Sequence, residues 1–150
     1  MNFRRAVLWM GGAVVLLATL YASQHGFRVY PSLEPYDDVA LPADYTQPSE
    51  WVFARLMYPQ GPLDGYRYDT GDWRQGRSLW TQDFPRADRS FAAAVRRLTR
   101  VDARSVEQCV NLDDGDEVYN WPWLYAVQVG EWGLTEKQAK KLREDRKSVV

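Results

Sequence analysis

A chain of 150 residues, 45% apolar and 26% charged, matches an ordinary globular protein and excludes a collagen-like, low-complexity or wholly disordered one. A formal net charge of −1 excludes a generic nucleic-acid binder, so no nucleic acid is expected among its partners. Cys109 is the one cysteine, which excludes an intrachain disulfide framework and a multi-cysteine zinc site, while seven Trp and nine Tyr are the unusual component.

After Arg4 and Arg5, Ala6 to Ala22 runs seventeen residues without a charge. That is the lower edge of what spans a bilayer as a helix. The two arginines hold the short N-terminus in the cytoplasm, so residues 1–22 read as a signal or transmembrane segment with the body in the periplasm or extracytoplasmic space. Ending the segment at Ala22 puts Leu20 in the third-last place, a mediocre cleavage site. A single-pass inner-membrane anchor and a cleaved signal of a secreted protein both stay open. No cysteine follows the stretch, which excludes a lipoprotein. From Ser23 to Glu144, 15 Lys and Arg face 19 Asp and Glu, so the exported part is mildly acidic.

Residues 23–50 carry Pro31, Pro35, Pro42 and Pro48 with five acidic residues and no apolar periodicity. They read as an extended tether leaving the membrane. Trp51 to Tyr58 is apolar on both alternating faces apart from Arg55, which suits a strand buried on both sides, as in a parallel sheet. Pro59 to Phe84 is a long loop rich in Gly, Asp and aromatics. Pro85 opens a helical pattern in which Phe91, Ala94, Val95 and Leu98 share a face, with Asp83 or Asp88 available as a cap. Arg86, Arg89, Arg96, Arg97, Arg100 and Arg104 concentrate there, as a solvated helix face or an anion-binding surface.

Ser105 to Leu112 alternates as a second strand and ends in the acidic turn Asp113 to Glu117. Trp123 to Gly130 is a third strand candidate, followed by the turn Glu131-Trp132-Gly133. Thr135 and Gln138 then form a capping box, with Leu134 and Ala139 as a hydrophobic staple, signing a second helix. Strands alternating with helices predict an open α/β sheet with helices on its faces. A ligand site in such a sheet is expected beyond the carboxyl ends of the strands.

His25 is the only histidine and lies in the tether, so no Ser-His or Cys-His pair is expected within the body. G-x-S-x-G, G-x-x-x-x-G-K-[ST] and G-x-G-x-x-G do not occur, and no cofactor is expected. Cys109 reads as a buried small hydrophobe in mid-strand. The acidic turn does not fit the spacing of a calcium loop and reads as solvated, so no metal is expected. Tyr66, Tyr68, Trp73 and Trp80 either offer a platform to a sugar ring or fold back to close a small core.

Several of these stretches carry a resemblance. They are Phe53-Ala54-Arg55-Leu56-Met57-Tyr58, Asp72-Trp73, the run Trp80 to Arg89 (WTQDFPRADR) and Asn120-Trp121-Pro122-Trp123-Leu124. Over most of Trp51 to Glu144 the chain resembles the exported bacterial proteins of domain-of-unknown-function family 4159. The run from Asp83 to Arg89 is its most specific part, and Gly26 to Pro35 also looks like that of stand-alone members. The resemblance implies a flavodoxin-like open parallel sheet, a distant branch of the class I glutamine amidotransferase-like fold, without its Cys-His-Glu triad. Many members carry Gly-His-Gly after the third strand, where this chain has Gly130-Glu131-Trp132. The residues singled out for ligand binding are Trp73, Trp80, Asp83, Arg86, Asp88 and Arg89. Arg and Asp at a helix start either bind a polar ligand or lock the loop onto the helix.

Relatives continue beyond Glu144 with another strand, whereas Asp145-Arg146-Lys147-Ser148-Val149-Val150 is what the start of a widely used sequencing adapter encodes. The natural chain is therefore expected to be longer. Residues 51–144 are expected to be the N-terminal part of the domain, and 145–150 adapter read-through. The expected function is a non-catalytic, membrane-anchored ligand-binding or scaffold module of the cell envelope, with envelope proteins or glycans as partners. The alternative is a carbohydrate-directed hydrolase whose catalytic residues lie in the missing C-terminal half.

Overall fold

The computed structural model describes residues 27–35, 40–61 and 71–144. The membrane segment expected within 1–22, His25, Tyr66, Tyr68 and the adapter-like residues 145–150 lie outside the described residues. Among the described residues, no helix is long and apolar enough to cross a membrane.

The fold is mixed α/β around a three-stranded parallel sheet. Strand β1 (Ala54–Met57) is central, flanked by β2 (Gln108–Asn111) and β3 (Leu124–Tyr125) in the order β2-β1-β3. All four residues of β1 are buried, as its run of apolar side chains on both faces requires. Register pairs Arg55 with Cys109 on one side and Tyr125 on the other, so these three share a face. Ala54, Leu56, Gln108, Val110 and Leu124 share the opposite face, which meets the 3-10 turn Glu117–Asn120 through Gln108 and Glu117.

Helix α1 (Arg86–Leu98) covers the Arg55 face. Neither proposed cap serves it: Pro85, after a cis Phe84–Pro85 peptide, is the N-cap residue, and the helix start has no side-chain cap. The apolar face also differs from expectation. The buried residues of α1 are Asp88 and Ala92, while Phe91 and Leu98 are 44% and 83% exposed. Arg55 explains the difference, because a buried guanidinium on the sheet needs a carboxylate. Turning Asp88 inward rotates the helix by about one residue, roughly 100°.

The third strand is shorter than Trp123 to Gly130. Only Leu124–Tyr125 pairs with β1, since Gln128 takes a left-handed conformation (φ 50°) and Val129–Glu131 coils into a 3-10 turn. That turn is stitched to the end of β1. Gly61 N–H donates to Glu131 O (2.8 Å) and Gly133 N–H to Pro59 O (2.7 Å). A Cβ at Gly133 would lie 2.3 Å from Gln60 O, so only glycine allows this approach.

Helix α2 (Glu136–Glu144) begins with the expected capping box. Gln138 N–H donates to Thr135 Oγ1 (3.2 Å) and Thr135 N–H to Gln138 Oε1 (2.9 Å). Leu134 and Leu142 pack against the core cluster, and Lys141 Nζ donates to Leu112 O (3.1 Å), seating α2 at the carboxyl end of β2.

Residues 27–35, read as part of a free tether, carry no helix or strand but lie as a strap on the long loop. Arg77 N–H donates to Pro31 O (2.9 Å), Ser32 Oγ to Thr81 O (3.1 Å), and Asp83 N–H to Glu34 Oε2 (2.9 Å). Tyr30 sets its edge against Trp80 (5.3 Å between centroids). Gly76, at φ 91°, leaves room for Pro31, whose carbonyl oxygen would sit 2.6 Å from an added Cβ.

Candidate functional site

Arg55 organises the Asp83 to Arg89 motif. Its side chain is wholly buried, its Nε donates to Asp88 Oδ2 (2.7 Å) and its Nη2 to Asp88 Oδ1, a bidentate pair. Nη1 donates to Trp80 O (2.8 Å) and Gln82 O (3.2 Å), and the guanidinium lies over the Phe84 and Tyr125 rings. One cation thus ties β1, the loop carbonyls and the first turn of α1 together. Burial outweighs the pull of Arg55 and pushes the Asp88 carboxyl up to about 6, which leaves the pair ionised at neutral pH.

A second pair repeats the arrangement one strand over. Arg89 donates from Nε and Nη2 to the two oxygens of buried Glu107 (2.9 and 3.1 Å), fastening α1 to the start of β2. Buried Arg104 donates to Val106 O (3.0 Å), Glu107 O and Gln108 Oε1 (3.0 Å), and Gln108 passes a bond on to Glu117 (3.3 Å). The arginine stretch is therefore not one cationic face. Arg89 and Arg104 turn inward, Arg96 pairs with Asp44 (2.7 Å), and Arg97 and Arg100 stay exposed.

The six residues singled out from the sequence separate accordingly. Trp80 is wholly enclosed, with its Nε1 donating to Trp73 O (2.7 Å) and its ring against Phe84 and Tyr30, so it closes the core and offers no platform. Asp88 and Arg89 are held by Arg55 and Glu107. Trp73 is half-buried under the Arg74 guanidinium (4.4 Å), and Asp83 and Arg86 are exposed. Asp83 stands at φ 58°, a conformation aspartate tolerates better than most residues.

The expected crevice at the carboxyl ends of the strands is filled by the chain itself. Asp113 accepts from Arg74 (2.9 Å) and Gln138 (3.1 Å), Gln128 donates to Gln82 (2.6 Å), and the Gly130 to Gly133 turn closes on Pro59 to Gly61. Among the described residues an open site lies elsewhere, beside β2. There a cleft of about 240 Å³ separates the strap (Phe27, Arg28, Tyr30) from Glu107, Gln108, Cys109, Asp114 and Glu117. Arg28 lies over the Tyr30 ring (4.7 Å) and donates to Gln75 Oε1 (2.9 Å). Burial, with Glu107 and Asp88 nearby, pushes the Cys109 thiol well up, so it stays protonated and is a poor nucleophile.

The arrangement can present hydrogen-bond acceptors and one cation to a small polar molecule between an aromatic strap and a strand edge. Among the described residues, no group of three or more His, Cys, Asp or Glu is placed to hold a metal ion. Sequence reasoning missed the strap residues and Glu107, which are distant in sequence from what they touch. The one charge inside the apolar β1 run, Arg55, was the available signal for the lock. No protein-family model, curated protein or solved structure matches the chain.

Proposed function

We propose that this chain is a non-catalytic ligand-binding or scaffold module of the bacterial cell envelope, held at the membrane by residues 6–22 with its body on the extracytoplasmic side. The observation that carries the reading is the use of the motif's charged groups. Asp88 and Arg89 are engaged by Arg55 and Glu107, and Cys109 is held as a thiol, which leaves a polar cleft suited to binding. The three-stranded parallel sheet is in keeping with part of a flavodoxin-like fold, and with the proposed kinship to domain-of-unknown-function family 4159.

Screening the full chain in detergent by thermal shift, against soluble envelope glycan fragments and small polar compounds, tests the reading. Tyr30→Ala and Asp114→Asn serve as cleft variants, beside Trp73→Ala and Asp83→Asn, and chromogenic glycosides are assayed in parallel. A melting shift lost in the cleft variants, without turnover, is the expected result. Turnover of a glycoside abolished by a single substitution contradicts it.

A further inference from the structure

The cleft beside β2 carries opposite charges that do not meet. Of its three carboxylates, Glu107 is met on both oxygens by Arg89, and buried Glu117 accepts from Gln108 (3.3 Å). The Asp114 carboxylate is exposed at the rim and makes no hydrogen bond or ion pair among the described residues. On the strap side, exposed Arg28 lies over the Tyr30 ring and gives an N–H to Gln75, which leaves donors of its guanidinium fork for an anion. Arg28 and Asp114 line the same space of about 240 Å³, roughly the volume of eight water molecules, without pairing with each other. A small zwitterion satisfies both, with an ammonium for Asp114 and Glu117 and an anion for Arg28. Once Glu107 and Arg89 cancel, two carboxylates face one guanidinium, so the lining favours an occupant with no more than one negative charge. The Tyr30 ring has Arg28 over it and Trp80 against it, and so offers no open aromatic cage to a quaternary ammonium. A primary ammonium, which donates hydrogen bonds to carboxylates, fits better.

We propose that the cleft binds the phosphoethanolamine headgroup of a membrane lipid, with its phosphate on Arg28 and its ammonium on Asp114 and Glu117. The inference rests on the reading of residues 6–22 as a membrane anchor and of the cleft as a binding site. From Ala22 to Phe27, on the strap wall of the cleft, is five residues, which reach at most about 18 Å. The anchor therefore keeps that wall close to the headgroup layer, which extends roughly 5–8 Å beyond the hydrocarbon. Free phosphoethanolamine offers the same pair of groups, but as a monoester it carries close to about two negative charges at neutral pH, against one on the lipid's diester. The acidic lining favours the diester, and so the lipid as the source.

The test titrates the full chain, in a non-ionic detergent, with glycerophosphoethanolamine, glycerophosphoglycerol, glycerophosphocholine and free phosphoethanolamine, read by thermal shift. Glycerophosphoglycerol keeps the diester and replaces the ammonium by hydroxyls. Glycerophosphoethanolamine is expected to bind saturably and at least about fivefold tighter than each of the other three. Asp114→Asn is expected to abolish its advantage over glycerophosphoglycerol, and Arg28→Gln to weaken both, with the melting temperature of the free protein unchanged because both side chains are exposed. In phosphatidylglycerol vesicles, adding phosphatidylethanolamine is expected to slow amide exchange at residues 27–30 about fivefold or more. Four results overturn the proposal: no saturable binding of glycerophosphoethanolamine, equal or tighter binding of any of the other three, an advantage that survives Asp114→Asn, or exchange that phosphatidylethanolamine leaves unchanged. A glycan fragment that binds the cleft where glycerophosphoethanolamine does not overturns the headgroup and leaves the binding-module reading standing. A cleft that takes no compound at all overturns both.

Discussion

At residue scale the chemistry turns on a buried cation. Arg55 sits in a central strand with no exposed surface, and burying a charge there costs several kcal/mol unless a carboxylate and further acceptors meet it. Asp88 and the Trp80 and Gln82 carbonyls meet it. Because burial raises the Asp88 carboxyl to about 6, above the usual aspartate value, the folded chain binds that proton more tightly than the unfolded one. The group's contribution to stability is thus full below about pH 4 and is lost as pH rises through about 6. Urea titrations of the wild type and Asp88→Asn check this. The wild type's advantage is expected to shrink on the order of 2 kcal/mol between pH 4 and 7, and a constant difference counts against the burial argument. Gln128, left-handed without being glycine, gives a second residue-scale expectation: Gln128→Gly should change stability by no more than about 1 kcal/mol in either direction, since relief of strain offsets the added chain entropy and the loss of the exposed bond to Gln82.

At element scale, caps and strand ends decide what forms. Thr135 and Gln138 bond reciprocally at the start of α2, and Gln138 reaches on to Asp113. Thr135→Ala is expected to cost about 1 kcal/mol, read as a lowered thermal midpoint with α2 amides exchanging faster. This cap was legible because its residues lie three apart. So were β1 and β2, whose apolar runs and alternation survive as buried parallel partners. The facing of α1 was not legible from apolar periodicity, because a polar contact over 33 residues, Asp88 to Arg55, outweighs the Phe91 to Leu98 stripe in turning the helix. The length of β3 was not legible either. Nothing local in a run of apolar residues shows that Gln128 turns left-handed and that the following turn binds back to Pro59 and Gly61.

At the largest scale, among the described residues, the strap, residues 71–84 of the long loop, α1 and the sheet are joined by hydrogen bonds and ion pairs. Residues 27–35 reach the loop by bonds spanning 46 to 49 residues, beyond any local pattern, so a proline-rich acidic stretch read as spacer turns out to wall the cleft. Gly76→Ala, which sets a methyl group against Pro31, is expected to release the strap. Faster proteolysis within 27–34 and faster exchange of the Arg77 amide report it, and unchanged protection of both contradicts the docking. The Asp83 to Arg89 motif locks loop and helix onto the sheet through Arg55. A double-mutant cycle in urea between Arg55→Met and Asp88→Leu tests it most directly. Each single change strands a buried charge and is expected to cost about 3–5 kcal/mol, while the double variant loses less than the sum by about 2 kcal/mol or more. Two small, additive effects would show that the pair does not hold the fold, and would return Asp88 to the surface chemistry of the motif.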